Sequence, residues 1–180
     1  AFCGDARFLW SRQRGAEFRR RLAEGGRRVL EFRSRAGQPG GPGSDAENRE
    51  IAAWLEALPK PVGVFACYDG RAQQVLEACQ LLGLHVPDEV AVLGVDNDEV
   101  LCELCSPPLS SVDVNAVAVG YKAAEVLAKR MKGRRIARRT MMPPRGVVTR
   151  LSTDMIAVDD PEAAAAIRFI RENACQPVTA

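Results

Sequence analysis

Two consecutive apolar stretches of the sequence end in polar residues that could contact a ligand. PVGVFAC runs into Tyr68 and Asp69, and VAVLGV runs into Asp96, Asn97 and Asp98. Carboxylates and an amide can bind neighbouring hydroxyls of a sugar while an aromatic ring covers its apolar face. Three carboxylates can instead hold Mg²⁺ for phosphoryl transfer, because hard cations prefer oxygen ligands. The pattern is equally compatible with solvated acids that only cap the following helices.

The two stretches are predicted to be neighbouring strands of a parallel sheet. The helical pattern GRAQQVLEACQLLG lies between them, so the three elements form a βαβ unit with a right-handed crossover. Both strands are apolar throughout, as expected when helices cover both faces of a sheet. Ligands of such sheets bind beyond the carboxyl ends of the strands. The predicted fold class is therefore α/β, with a parallel sheet flanked by helices.

Further elements complete this sheet. Helices are predicted over 11–24, opened by Ser11, and over the segment after the cap Ser44 or Asp45. A third runs from about 116 to 132, and Pro161 starts a last one. The remaining strands are predicted in RRVLEF, LSSVDV and RGVVTRL, and SRAGQPGGPGSD is predicted to be a surface loop.

Composition indicates an ordinary globular domain. Of the 180 residues, 47% are apolar and 27% charged, and the net charge of +2 is too small to indicate a nucleic-acid or membrane partner. No membrane span or signal peptide is recognisable, which favours the cytoplasm. The six cysteines are scattered, so reduced core thiols are expected, and the pair Cys102 and Cys105 is a weak metal or redox signal. No metal site and no cofactor are predicted.

Nearly the whole chain, most strongly residues 59–178, resembles the sugar-sensing domains of the lactose/galactose-repressor and periplasmic sugar-binding superfamily. The resemblance is carried by VPDEVAVLGVDND followed by PPLSSV. More narrowly, GVDNDEVLCEL, PPRGVVTRLSTD and IRFIRENACQPV are similar to the xylose-responsive regulators, which join such a sensor to a C-terminal AraC-type helix-turn-helix domain. The resemblance implies a transcription activator that binds xylose or a related pentose, works as a homodimer on DNA, and is not an enzyme.

The same resemblance implies which residues bind the sugar. Asp96 matches the strand-end aspartate that binds sugar hydroxyls, and Arg14 matches an arginine early in the first helix of the lobe. Trp10 matches a tryptophan beside the pocket. The other positions implied to line the cleft or support it are Tyr68, Asp69, Asn97 and Arg71, whereas Asp98 is expected to serve the loop and the following turn.

The resemblance also implies an incomplete, type I periplasmic-binding-protein-like arrangement. Residues 1–114 correspond to the C-terminal lobe, 115–153 to a returning segment that would complete a missing N-terminal lobe, and 154–180 to a linker and the first helix of the DNA-binding domain. We expect this chain alone to bind sugar weakly or not at all. The apolar stripe of the helix at 116–132 would then face solvent or a partner.

An enzymatic alternative would use Asp69, Asp96 and Asp98 with Mg²⁺ in phosphotransfer or as a receiver-like domain. Such domains need a lysine and a hydroxyl residue at later strand ends. Ser110 and Ser111 supply hydroxyls, but no lysine lies near a later strand end. The sequence therefore favours the sensor.

Overall fold

A computed structural model describes residues 1–33, 44–155 and 161–173. The predicted loop at 34–43 and the end of the last predicted helix lie outside the described residues. The elements are, in chain order, β1 (Phe2–Gly4), α1 (Leu9–Glu24), β2 (Glu31–Arg33), α2 (Asp45–Glu56), β3 (Val62–Ala66), α3 (Asp69–Leu81), β4 (Val90–Val95), α4 (Glu99–Leu104), β5 (Ser110–Asp113), α5 (Ala116–Met131), β6 (Gly146–Val148) and α6 (Pro161–Asn173).

The strands form one six-stranded sheet in the order β2-β1-β3-β4-β5-β6. The pairs from β2 to β5 are parallel, and β6 runs antiparallel to β5. The predicted α/β class with a parallel sheet is therefore confirmed. Because β1, β3, β4 and β5 run in the same direction, the residues that follow them gather at one edge of the sheet.

The core lies between β3, β4 and the helices α2 and α3. Val64, Val90 and Val92 on the strands are buried, and so are Ile51 and Leu55 on α2. The i, i+4 spacing of the last two residues places them on one helix face, which packs toward the sheet. A large apolar area is thus removed from water around the two strands that carry the candidate site.

Helix starts show where local sequence was informative. Ser44 caps α2, since its side chain accepts a hydrogen bond from the Glu47 amide. The predicted start of α1 at Ser11 is wrong: the helix begins at Leu9, and Phe8 provides no side-chain cap. Ser11 instead lies buried in the helix, where its Oγ accepts a hydrogen bond from the Asp5 amide at 2.9 Å.

Helix α5 has the predicted extent but none of its residues is buried. Val117, Tyr121 and Met131 along its predicted apolar stripe are about four-fifths exposed. The chain then returns to the sheet, because β6 pairs with β5. Among the described residues, no helix is long and apolar enough to cross a bilayer.

Candidate ligand-binding site

Four of the predicted site residues meet at the carboxyl edge of the sheet. Arg14 Nη2 lies 3.6 Å from Asp96 Oδ1, and its guanidinium carbon lies 5.1 Å from the centre of the Trp10 ring. The Trp10 and Tyr68 rings meet edge-on, with 5.7 Å between their centroids. The Phe8 ring stacks on the Trp10 ring, with 5.2 Å between centroids. A carboxylate, a guanidinium and aromatic rings therefore share one partly exposed surface.

The position of Arg14 depends on close packing of α1 against β1. Gly15 is buried, and a Cβ placed there would lie 2.6 Å from Cε1 of Phe2. Only a glycine lets the helix approach the strand this closely. Arg14 Nη1 also donates a hydrogen bond to the carbonyl of Cys67, at the end of β3. The guanidinium is thereby anchored on one strand end while it faces the carboxylate on the next.

Asp96 stands in a turn of unusual backbone conformation. Its φ is +113° and that of Asn97 is +53°, values that non-glycine residues adopt at a cost of about 1–3 kcal/mol each. Three amides of the turn donate hydrogen bonds, from Asp96 to Val112 O, from Asn97 to Ser111 Oγ and from Asp98 to Asp69 Oδ2. Strain that is held in place in this way is typical of functional sites.

The electrostatics of Asp96 combine opposing effects. Burial raises the pKa of its carboxyl group and the charge of Asp69 raises it further, whereas Arg14 acts to lower it. The net pKa lies above the ordinary value. The Asp96 side chain is about half exposed, so hydroxyl donors of a ligand can reach its carboxylate and hydrogen-bond to it.

Asp69 is buried and lies behind the surface formed by Asp96, Arg14 and the aromatic rings. Its Oδ1 accepts a hydrogen bond from Ser111 Oγ at 2.6 Å, and its Oδ2 accepts one from the Asp98 amide at 2.9 Å. A Cβ on Gly94 would lie only 2.2 Å from Oδ1, so this glycine on β4 makes room for the carboxylate. Asp69 joins the ends of β3, β4 and β5 from within.

Asn97 is also occupied inside the protein. Its Oδ1 accepts a hydrogen bond from Arg150 Nη1 at 3.1 Å. Arg150 was not among the predicted site residues, although it lies within the motif PPRGVVTRLSTD that the sequence singles out. Arg150 comes near the turn because β6, which ends two residues before it, pairs with β5.

Arg71 is fully buried and lies beneath the site. Its Nη2 donates hydrogen bonds to Asp5 Oδ2 at 3.1 Å and to Glu47 Oε1 at 3.0 Å. Burial acts to raise the pKa of Asp5, but hydrogen bonds and charge from Arg7 and the charge of Arg71 outweigh it, and the pKa is lowered. Sequence reasoning missed Asp5, which follows β1 as directly as Asp96 follows β4.

The carboxylates required for the magnesium alternative do not converge. Within residues 1–33, 44–155 and 161–173, no group of three His, Cys, Asp or Glu side chains is placed to hold a metal ion. Asp98 caps α4 by accepting a hydrogen bond from the Leu101 amide, as expected of a loop residue. Burial raises the pKa of the Cys102 thiol to about 12, so the pair with Cys105 offers little thiolate for metal or redox chemistry.

A mostly parallel α/β lobe with polar and aromatic side chains at its carboxyl edge is the architecture of a ligand-binding domain. Residues 1–153 match the periplasmic binding protein-like domain, and the chain belongs to that family.

Similar proteins carry the same architecture. The chain is 34% identical over 170 residues to the xylose operon regulatory protein of Escherichia coli K12, covering 94% of this chain and 43% of that protein. It is 35% identical to that of Haemophilus influenzae over 73% of this chain and 34% of the relative. The chain thus spans less than half the length of these curated relatives.

Solved structures agree with this result. The xylose-binding transcription activator xylR superposes with a TM-score of 0.81 at 30% identity, over 99% of this chain and 47% of that one. A dimeric lac repressor superposes with a TM-score of 0.72 over 84% of this chain and 54% of that one, and at 19% identity it shows the fold alone.

Proposed function

We propose that this chain is a sugar-sensing lobe of a transcription regulator and that its ligand is xylose or a related pentose. The observation that carries the proposal is the meeting of Asp96 and Arg14 beside the Trp10 and Tyr68 rings. The similarity to xylose operon regulatory proteins and to a xylose-binding activator supports the choice of sugar.

The chemistry of the site suits a polyhydroxylated ring. The Asp96 carboxylate accepts hydrogen bonds from sugar hydroxyls, and the Arg14 guanidinium donates them, so adjacent hydroxyls can be bound as a pair. Trp10 is about two-fifths exposed, and the exposed part of its ring, beside the stacked Phe8 ring and the Arg14 guanidinium, would contact the C–H side of the sugar. In this proposal the sugar is bound and released unchanged.

Not every predicted site residue contacts the sugar in this proposal. Tyr68 contributes its ring edge to the cleft and supports Trp10. Asp69 and Asn97 use their side chains within the protein, so we assign them to holding the strand ends in place. Arg71 holds Asp5 and Glu47 beneath the surface.

A second lobe would close over the sugar and shift the protein between two states. Residues 115–153 are proposed as the returning segment that completes this second lobe, and 154–180 as a linker and the first helix of a helix-turn-helix domain that binds DNA. The exposed apolar residues of α5 are consistent with a helix face that the second lobe covers. Dimerisation and action in the cytoplasm follow from the same proposal, since transcription is regulated there.

Thermal melting with three additions tests this function. Xylose at about ten times its Kd stabilises a binding protein by about 1.4 kcal/mol, which corresponds to a rise in Tm of about 3 °C for a domain of this size. In a protein that also includes the proposed second lobe, we expect that rise with xylose and none with Mg²⁺ and acetyl phosphate. Asp96→Ala should melt near the wild-type temperature but lose the response to sugar.

Two results would contradict the proposal. A rise in Tm with Mg²⁺ alone would favour the phosphotransfer alternative, and an unchanged xylose response in Asp96→Ala would remove this residue from the site. Glu99→Ala is the matched control, because Glu99 is an exposed acid three residues further along the chain, at the start of α4.

A further inference from the structure

Arg150 connects three separate parts of the lobe. Its Nη1 donates hydrogen bonds to Asn97 Oδ1 at 3.1 Å and to Leu109 O at 2.9 Å, and its Nε donates to Glu103 Oε1 at 2.7 Å. The side chain is only 11% exposed, whereas Glu103 is 64% exposed. The contacts to Asn97 and Leu109 are therefore the sheltered ones, and the ion pair with Glu103 lies at the surface.

The main chain of Arg150 is also fixed. Its amide donates to Ser110 Oγ at 2.7 Å, and its carbonyl accepts from the same hydroxyl at 2.9 Å. Arg150 lies two residues after β6, on the chain that returns to the sheet from α5. The guanidinium thus extends from the returning segment to the turn after β4.

That turn determines where Asp96 points. The positive φ angles of Asp96 and Asn97 reverse the chain after β4, and the Asn97 amide bonds back to Ser111 on β5. An asparagine tolerates this conformation better than most residues. Rotation of the turn would break the hydrogen bond between Arg150 and the Asn97 side chain, so this bond opposes rotation.

We propose that Arg150 is a positioning residue for the Asp96 carboxylate and that its bond to Asn97 is the latch that holds the turn. The latch links the returning segment to the ligand site, so movement of that segment alters the direction of Asp96. Sugar affinity is then sensitive to a residue that does not contact the sugar. This inference deepens the proposed function and depends on it only for the effect on affinity.

Amide hydrogen exchange tests the latch without any ligand. In Arg150→Gln and in Asn97→Ala, we expect the amides of Asp96, Asn97 and Asp98 to exchange about tenfold faster or more, because a hydrogen bond to a charged group is lost. The amides of Phe65 and Cys67, which donate hydrogen bonds to Ala1 O and Cys3 O, should keep their rates. Glu103→Gln is the matched control, since it removes only the exposed ion pair of Arg150.

The double variant distinguishes a latch from two independent contributions. If Arg150 acts on the turn through Asn97, Arg150→Gln with Asn97→Ala should exchange no faster than the faster single variant. Additive acceleration would overturn the latch. Unchanged exchange at residues 96–98 in Arg150→Gln would overturn the positioning role outright, and so would an acceleration spread equally over Phe65 and Cys67.

A xylose titration then tests the consequence for the site. We expect Arg150→Gln to weaken xylose binding about tenfold and Glu103→Gln to leave it within about twofold. If the turn exchanges faster but affinity is retained, Arg150 does not position Asp96 for the ligand. If a protein that also includes the proposed second lobe never responds to xylose, the proposed function is contradicted, whereas the exchange result would still decide the latch.

Discussion

The turn after β4 and the helix α5 differ in what the surrounding chain supplies to each. In the turn, the Asn97 side chain bonds to Arg150, and the Asp98 amide bonds to Asp69 at the start of α3. On α5 the apolar residues Val117 and Tyr121 are exposed, and no residue of the helix is buried. The polar region is the more firmly constrained of the two.

This difference shows that order at the site comes from long-range contacts rather than from residue type. Partners 14 to 53 positions away in the chain hold the turn, and strain at Asp96 is tolerated because those partners fix it. Helix α5 has a clear amphipathic pattern and ion pairs of its own, including Lys122 with Glu125. Such local contacts stabilise a helix only slightly.

The largest expected effect comes from replacing the same residue type in the core beneath the site and on α5. Leu55 on α2 is fully buried, whereas Leu127 on α5 is 59% exposed. Leu55→Ala should lower the free energy of unfolding by about 2–5 kcal/mol, because it leaves a cavity in the core. Leu127→Ala should change it by less than about 0.5 kcal/mol. Urea denaturation measures both, and equal losses would mean that α5 is packed in solution.

The spacing of apolar residues predicts that Leu55 and Leu127 lie on helices, but it does not predict which of the two is buried. Both helices have apolar residues at helical spacing, and the sequence correctly predicts both helices. Burial of α2 follows from its position against the sheet, and exposure of α5 was expected only through the family resemblance. The parallel order of the strands was likewise predictable, because two apolar strands enclose a helix.

The candidate site was predictable in part. Asp96 and Tyr68 follow strands, so their location at one edge follows from the fold, and Arg14 and Trp10 came from the resemblance. The inward direction of Asp69 was not predictable, because it depends on space above Gly94 and on the Ser111 hydroxyl of another strand. Arg150 was missed because its partner Asn97 is 53 residues away.

A second test compares the buried charge of Arg71 beneath the site with an exposed charge on α5. Arg71→Met removes a fully buried guanidinium and leaves Asp5 and Glu47 without one of their partners, so we expect a loss of about 3 kcal/mol. Lys122→Met removes an exposed partner of Glu125 and should cost less than about 0.5 kcal/mol. Urea denaturation at pH 7 gives both values. A loss below 1 kcal/mol for Arg71→Met would show that the buried cluster is replaceable by apolar packing.

The smallest expected effect is a pH dependence on α5. Hydrogen bonds from Lys122 and Lys129 lower the pKa of Glu125 from 4.5 to about 2. A lowered folded-state pKa means that the contribution to stability is present above pH 4.5 and is lost as the pH falls toward 2. The difference in stability between wild type and Glu125→Gln should therefore be small at pH 7 and decrease over that window. A difference that grows on acidification would contradict these ion pairs.

The central claim is that the edge cluster of Asp96, Arg14, Trp10 and Tyr68 binds a pentose. A xylose titration of a ¹⁵N-labelled protein that also includes the proposed second lobe, followed at the Trp10 indole N–H, tests it most directly. We predict a saturable shift of that signal, accompanied by shifts at Asp96 and Arg14 and absent in Asp96→Asn. No shift up to the highest xylose concentration, or equal shifts in wild type and Asp96→Asn, would contradict the claim.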